Sequence, residues 1–258
     1  MSKKQSEYFN MESFFDEFMA CIKGRRVDEI LSSKVGFANA DYQINDANCL
    51  IELKTLETNQ AEESVFIKKL ASLNKLPFEK TLTFDNNNHS VPDDLFKQFL
   101  GSIEDAIYPR IKKVITKANK QIRETKFNLG LDSHFGIVWI VNERSILLEP
   151  NVLKNLVVKA LDTNSLSSIQ AVIISNVNLH VTTSEKENRH LYWVPIFKID
   201  KDKEEVDEVI WDIVHTIGLA WNVHVRKHFK IPIKFKTISG NEVKMTDFYN
   251  LIENKEYQ

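Results

Sequence analysis

Two apolar runs, HFGIVWIVNE and IQAVIISNVN, flank a helical stretch, EPNVLKNLVVKALDT, and this strand–helix–strand order constrains the fold more than any other feature. A crossover helix carries the chain back to the end of the sheet where the first strand began, so the two strands are expected to run parallel. Upstream, ADYQI and CLIEL also read as strands, and Asn45, Asp46, Ala47 and Asn48 between them are mostly turn formers, which predicts a β-hairpin. Downstream, the polar stretch TTSEKENR is expected as a loop leading into a fifth strand, HLYWVPIFKID. The acidic opening DKEEVDE then starts an amphipathic helix, VIWDIVHTIGLAWNVHVRKHF, where negative residues suit the positive helix end. The pattern describes an α/β chain with a mixed sheet flanked by helices.

Asn10 can cap a helix MESFFDEFMACIK, with Phe14, Phe15 and Met19 or Phe18 as its apolar stripe. RRVDEILSS reads as a second helical piece after Gly24. From Pro92 a long helical pattern runs through DDLFKQFLGSIEDAIYPRIKKVITKANKQIRETK, with a break or kink expected near Pro109. In its second half Ile111, Val114, Ile115, Ala118 and Ile122 make a buried face, and Arg110, Lys113, Lys117 and Lys120 fall on the other side. With Lys112, Arg123 and Lys126 this stretch carries seven cations against one acid, Glu124. Such a stripe is either a solvated helix face or what a phosphate backbone requires. The polar tract DNNNHS at 85–90 reads as a loop.

The hairpin has a definite geometry. A turn centred between Asp46 and Ala47 pairs Ile44 with Cys49, Tyr42 with Ile51 and Asp41 with Glu52. Directly opposed residues share a sheet face, and alternation puts Lys54 on the face of Glu52 while Ile51 and Leu53 point the other way. Two apposed carboxylates repel unless a cation or proton lies between them. A hard divalent ion resolves the conflict, since Mg²⁺ takes one or two protein carboxylates and completes its shell with water and phosphate. Lys54 would then orient or deprotonate a water, or neutralise charge on the phosphate.

Asp41, Glu52 and Lys54 resemble the motif of the PD-(D/E)xK nuclease superfamily, with Ala40 where a proline often stands. The resemblance implies a restriction-endonuclease-like fold and metal-dependent phosphodiester hydrolysis. Mg²⁺ or Mn²⁺ would be held by Asp41, Glu52 and the Leu53 backbone carbonyl, with Lys54 positioning the attacking water. In that family the helix ahead of the hairpin can add an acid; Glu29 is the first candidate and Glu17 the second, against the plainer reading of solvated helix charges. ANKQI resembles the Gln-bearing helix of many such nucleases, which makes Gln121 an accessory candidate, or else an ordinary exposed glutamine. Lys113, Lys117, Lys120 and Arg123 would meet the nucleic-acid backbone. The implied activity is a DNA endonuclease of restriction or defence, with RNA as an alternative substrate; a homodimer or a partner subunit is left open, since double-strand cutting by a single active site commonly requires two copies. The rival is a nuclease-fold module that binds DNA or protein without hydrolysis.

With 258 residues and 43% hydrophobic content the chain can bury a substantial core, read as one domain with its centre at about 10–178 and a C-terminal strand, helix and tail at about 179–258. No apolar run is long enough for a bilayer, and MSKKQSEYFN lacks a signal-peptide stretch, so a cytoplasmic protein is expected. A net charge of −2 argues against indiscriminate coating of nucleic acid, although Arg226, Lys227, Lys230, Lys234 and Lys236 form a second local basic run. Two cysteines make no disulfide framework; both are expected as core thiols, Cys49 on the hairpin face away from the acids. Trp211 and Trp221 are expected in the core. His224 and His228 have a spacing that can hold zinc, but no H-E-x-x-H signature and no third ligand nearby, which favours a surface pair. No P-loop and no G-x-S-x-G elbow is present, which removes P-loop kinases, motors and α/β-hydrolases.

Overall fold

Three parallel strands form the centre of a six-stranded sheet, and their sequences show why. β3 (Cys49–Leu56), β4 (Phe135–Asn142) and β5 (Ala171–Ser175) are almost continuously apolar and buried, as strands covered on both faces must be. The computed structural model describes residues 10–31, 36–56, 93–143, 148, 150–162, 165–176, 180–182, 187–189, 192–199 and 205–229, with 93–106, 180–182 and 187–189 as backbone only. Outside the parallel centre lie antiparallel strands: β1 (Gly24–Arg26) and β2 (Tyr42–Ile44) on one side, β8 (Trp193–Phe197) on the other. The order is β1-β2-β3-β4-β5-β8. The parallel pairing expected of β4 and β5 is present, as is the antiparallel hairpin.

Helices cover both faces. α3 (Asp93–Leu129) crosses from β3 to β4 and α4 (Pro150–Leu161) from β4 to β5. Successive right-handed crossovers in one direction put both helices on the same side. There Ile111, Ile115, Ala118 and Ile122 of α3 and Leu153, Leu156 and Val157 of α4 pack on Leu50, Val138, Ile140 and Val172. α1 (Met11–Cys21) and α5 (Glu208–Phe229) cover the other face against Ile51, Ile137, Trp139 and Ile173. Phe15 meets Trp139 edge-on at 4.9 Å, and Phe18 meets Trp221 at 5.0 Å. Each such buried ring contributes on the order of 2–3 kcal/mol, which fixes the back of the sheet.

Local chemistry sets the element ends. The Asn10 side chain accepts from the N–H groups of Glu12 and Ser13, the expected cap of α1. Gly130 at φ 67° follows the last turn of α3, and the Leu131 N–H returns to the Lys126 carbonyl, which closes the helix.

Several sequence expectations are corrected. Gly24–Arg26 is a strand because it pairs with β2; among the described residues of RRVDEILSS only Val27–Ile30 (α2) is helical. α3 runs through Pro109 without a break. Glu187–Arg189 (β7), expected in a loop, pairs with β6 (His180–Thr182) in a separate two-stranded ladder. Cys21 is exposed, whereas Cys49 is buried; Trp221 is buried, but Trp211 is 43% exposed and stacks on His215 instead. Lys126 is buried and directs its ammonium toward the Ser168 carbonyl, so it leaves the basic stripe. Pro92, DNNNHS, Lys230, Lys234 and Lys236 lie outside the described residues. Among the described residues no helix is long and apolar enough to cross a membrane.

Candidate active site

The hairpin register is the one expected, with Tyr42 opposite Ile51, Gln43 opposite Leu50 and Ile44 opposite Cys49. Asn48 at φ 47° makes the tight return possible. β2 begins only at Tyr42, and the reason is local. The next N–H of β3 on that edge belongs to Leu53, and it donates to Asp41 Oδ2 at 2.8 Å. Meanwhile Ala40, which would continue the ladder, donates its own N–H to Thr125 Oγ1 on α3 at 2.7 Å. The Asp41 carboxylate therefore replaces a rung of the sheet.

That substitution gathers the site. In a strand the N–H and C=O of one residue point to the same edge, so the Leu53 carbonyl shares the edge that Asp41 occupies. Glu52 lies one residue back on β3, fully buried under α3. Its Oε1 accepts from Lys54 Nζ, while Oε2 is buried and has no hydrogen-bond partner. Lys54, with 18% of its side chain exposed, also donates to Gln121 Oε1 at 3.1 Å. Gln121 Nε2 in turn donates to the Asn39 carbonyl at 3.0 Å. One chain of contacts thus joins Glu52, Lys54 and Gln121 to the segment carrying Asp41.

Electrostatics mark the acids as strained. Burial, and then the charge of Asp41, push the Glu52 carboxyl up to about 8, against the pull of Lys54. Burial also raises Asp41, opposed by the Leu53 N–H and by Lys54 and Arg26. The Asp41 backbone N–H lies near enough to Glu52 to favour its charged form, but makes no hydrogen bond of proper geometry to Oε2.

The accessory candidates separate. Gln121 reaches the cluster. Glu29 is exposed on α2, and Glu17 is exposed on α1, across the sheet. The acid of α2 that addresses the site is Asp28. It accepts from Asn39 Nδ2 at 2.7 Å, and its charge adds to the upward shift of Asp41. Thr125 and Glu124 were also missed. Thr125 is fully buried and accepts from Ala40, and Glu124 accepts from the Ala38 N–H at 2.9 Å. Both stand within one turn of Gln121, a spacing readable in the sequence. For Asp28 the signal was weaker, because only the buried Val27 fixes the phase of α2.

The cations of α3 divide by helix geometry. At 3.6 residues per turn Arg110, Lys117 and Lys113 fall within about 20–80° of Gln121, whereas Arg123 and Lys112 fall about 160–180° away. Lys120 lies between them and pairs with Glu124 at 3.6 Å. All six are exposed.

No family model, no curated protein and no solved structure matches this chain. The donor set itself must therefore decide what the site could hold. Among the described residues no three His, Cys, Asp and Glu side chains are gathered in ligand geometry. Two carboxylates and a carbonyl nevertheless suit a hard ion such as Mg²⁺, which asks little more of a protein. The orphaned Glu52 Oε2 and the mutual repulsion of the acids fit such a cation.

Proposed function

We propose that this protein is a metal-dependent nuclease of the PD-(D/E)xK superfamily, with a restriction-endonuclease-like fold, that hydrolyses phosphodiester bonds of DNA. The observation that carries this reading is the convergence of Asp41, Glu52, Lys54 and Gln121 on one bonded cluster, with an unpartnered buried carboxylate oxygen at its centre. A scaffold without chemistry has little reason to bury a strained acid.

Asp41, Glu52 and the Leu53 carbonyl would hold Mg²⁺ or Mn²⁺. When bound, such an ion supplies Lewis-acid polarisation of the phosphate and a more acidic water. Lys54 would present its ammonium to the incoming water and to the charge growing on the phosphate. Gln121 holds Lys54 in place and fixes the Asn39 carbonyl, so the acids keep their spacing. Arg110, Lys113 and Lys117 run along α3 beside Gln121 and would track the backbone of the substrate. A cytoplasmic role in restriction or defence, with two copies cutting two strands, is part of the same proposal.

The test is incubation of the wild type and Lys54→Ala with plasmid, linear and single-stranded DNA and with RNA, in Mg²⁺, Mn²⁺ and EDTA. Cleavage in metal alone, lost in the variant by about 10²–10³-fold, is the expected result. RNA cut in preference to DNA would change the substrate. Binding without cleavage in any metal would replace the enzyme by a binding module.

A further inference from the structure

Phe127 is the most exposed large apolar side chain among the described residues, at 81%. It belongs to α3, and the buried side of that helix is pinned on both sides of it: Ile122, Thr125 and Lys126 are covered, and Leu129 packs on the core. The ring is therefore held out on a rigid element that cannot turn to bury it. At 3.6 residues per turn Phe127 lies within about 20–40° of Lys120 and Lys113, and roughly 10 and 20 Å further along the axis. Lys113, Lys120 and Phe127 are thus successive members of one outward row, with Lys117 on its inner side, toward Gln121. The acid within this row, Glu124, turns toward the segment before β2: Oε2 accepts from the Ala38 N–H at 2.9 Å, and Oε1 faces Lys120 Nζ at 3.6 Å.

We propose that Phe127 is a stacking platform for an unpaired base, and that a single strand lies along α3 with its phosphates on Lys113 and Lys120. The inference rests on the nuclease reading and deepens it, since it names the substrate of the Asp41–Glu52 site as single-stranded DNA. A lone apolar side chain at a surface is ordinary and needs no account. An aromatic ring in line with cations is different, because single-strand binders pair these two chemistries: cations follow the phosphates, and a ring stacks on any base. Bases in a duplex are covered on both faces, so a ring enters only by prying a step apart. An unpaired base offers its face without that cost. Phe127 lies about 9 Å along the axis from Gln121. The stacked base accordingly belongs to the same short stretch of strand as the phosphate at the metal site.

Fluorescence anisotropy of labelled oligo-dT, and of a duplex of the same length, tests the assignment in EDTA, where a metal-dependent enzyme cuts neither. Phe127→Ala is expected to weaken single-strand binding by roughly 5–150-fold, the range for one base–aromatic stack, and duplex binding far less. The salt dependence should not change, because no phosphate contact is removed. Phe127→Trp restores affinity, and its indole emission is quenched as the strand binds. Phe127→Leu, apolar but without a π face, does not restore it. Circular dichroism verifies that the variants fold, as expected for an exposed position. Unchanged affinity in Phe127→Ala, full affinity in Phe127→Leu, an equal loss on duplex, or no single-strand binding by the wild type overturns the proposal. So does a dimer in analytical ultracentrifugation that Phe127→Ala dissociates, which makes a second copy of the chain the occupant. The nuclease reading fails separately: absence of cleavage in Mg²⁺ and Mn²⁺ leaves the binding result in EDTA standing, whereas cleavage by a Phe127→Ala enzyme of unchanged affinity removes only the stacking.

Discussion

Glu52 is where function and stability oppose each other. Its ordinary value is 4.5, and burial in the fold lifts it to about 8. The folded state therefore binds one more proton than the unfolded chain between those values. The stabilisation is fully present below the unfolded value and is lost as pH rises through the folded one. In EDTA the wild type is expected to lose Tm progressively as pH rises from about 5 to about 8, and Glu52→Gln to lack that component. At the alkaline end the variant should be more stable by about 1–3 kcal/mol, since a buried, half-paired charge has gone, while cleavage disappears. Equal pH profiles for the two proteins would contradict this account. At this scale the sequence was informative: a turn of fixed centre dictates the register, and alternation then places Asp41, Glu52 and Lys54 without further knowledge. Asp28 and Glu29 could not be told apart, because the answer depends on where β1 hands over to α2, and that is decided by pairing with β2.

α3 acts as a clamp on the segment before β2. Gln121, Glu124 and Thr125 hold Asn39, Ala38 and Ala40 in turn, and Asp41 follows directly. Thr125→Val keeps the shape of the side chain and removes the acceptor, leaving the Ala40 N–H buried and unpaired at a cost of about 1–3 kcal/mol. It is expected to weaken Mn²⁺ binding by calorimetry, and Thr125→Ser to restore it; a Tm loss with unchanged metal affinity would mean that the contact is structural only. The outer face of the same helix makes a second prediction. Charge reversal at Lys113 and Lys117 should flatten the salt dependence of DNA binding by about 0.9 in log–log slope per lost phosphate contact. Reversal at Lys112 and Arg123, on the far border, should change it little. The buried and basic faces of α3 were legible because 3.6-residue periodicity persists over many turns. Lys126 was not, since a lysine stem can lie in a core while its ammonium finds a carbonyl.

Across the described residues, two helical layers press on one sheet, and the chain packs tightly at Gly136 on β4. A Cβ there would stand 2.0 Å from the Ser168 carbonyl oxygen and 2.8 Å from Ile122 Cγ2. Gly136→Ala is therefore expected to destabilise by about 1–3 kcal/mol or more in denaturant titration, with the helix layer around α3 forced outward. The layered topology was readable because apolar strands alternating with helices admit few arrangements. The β6–β7 ladder was not, because strands of three residues carry too little pattern to stand out from a polar loop.

The clamp also imposes an order of events on synthesis. Asn39 and Ala40 wait for partners made 82 and 85 residues later, so the ribosome finishes the acid-bearing hairpin well before the helix that aligns it. A nascent or prematurely ended chain would carry all three motif residues and still lack their alignment. If this protein cuts DNA, its danger to the cell that makes it is withheld until the clamp has emerged and docked.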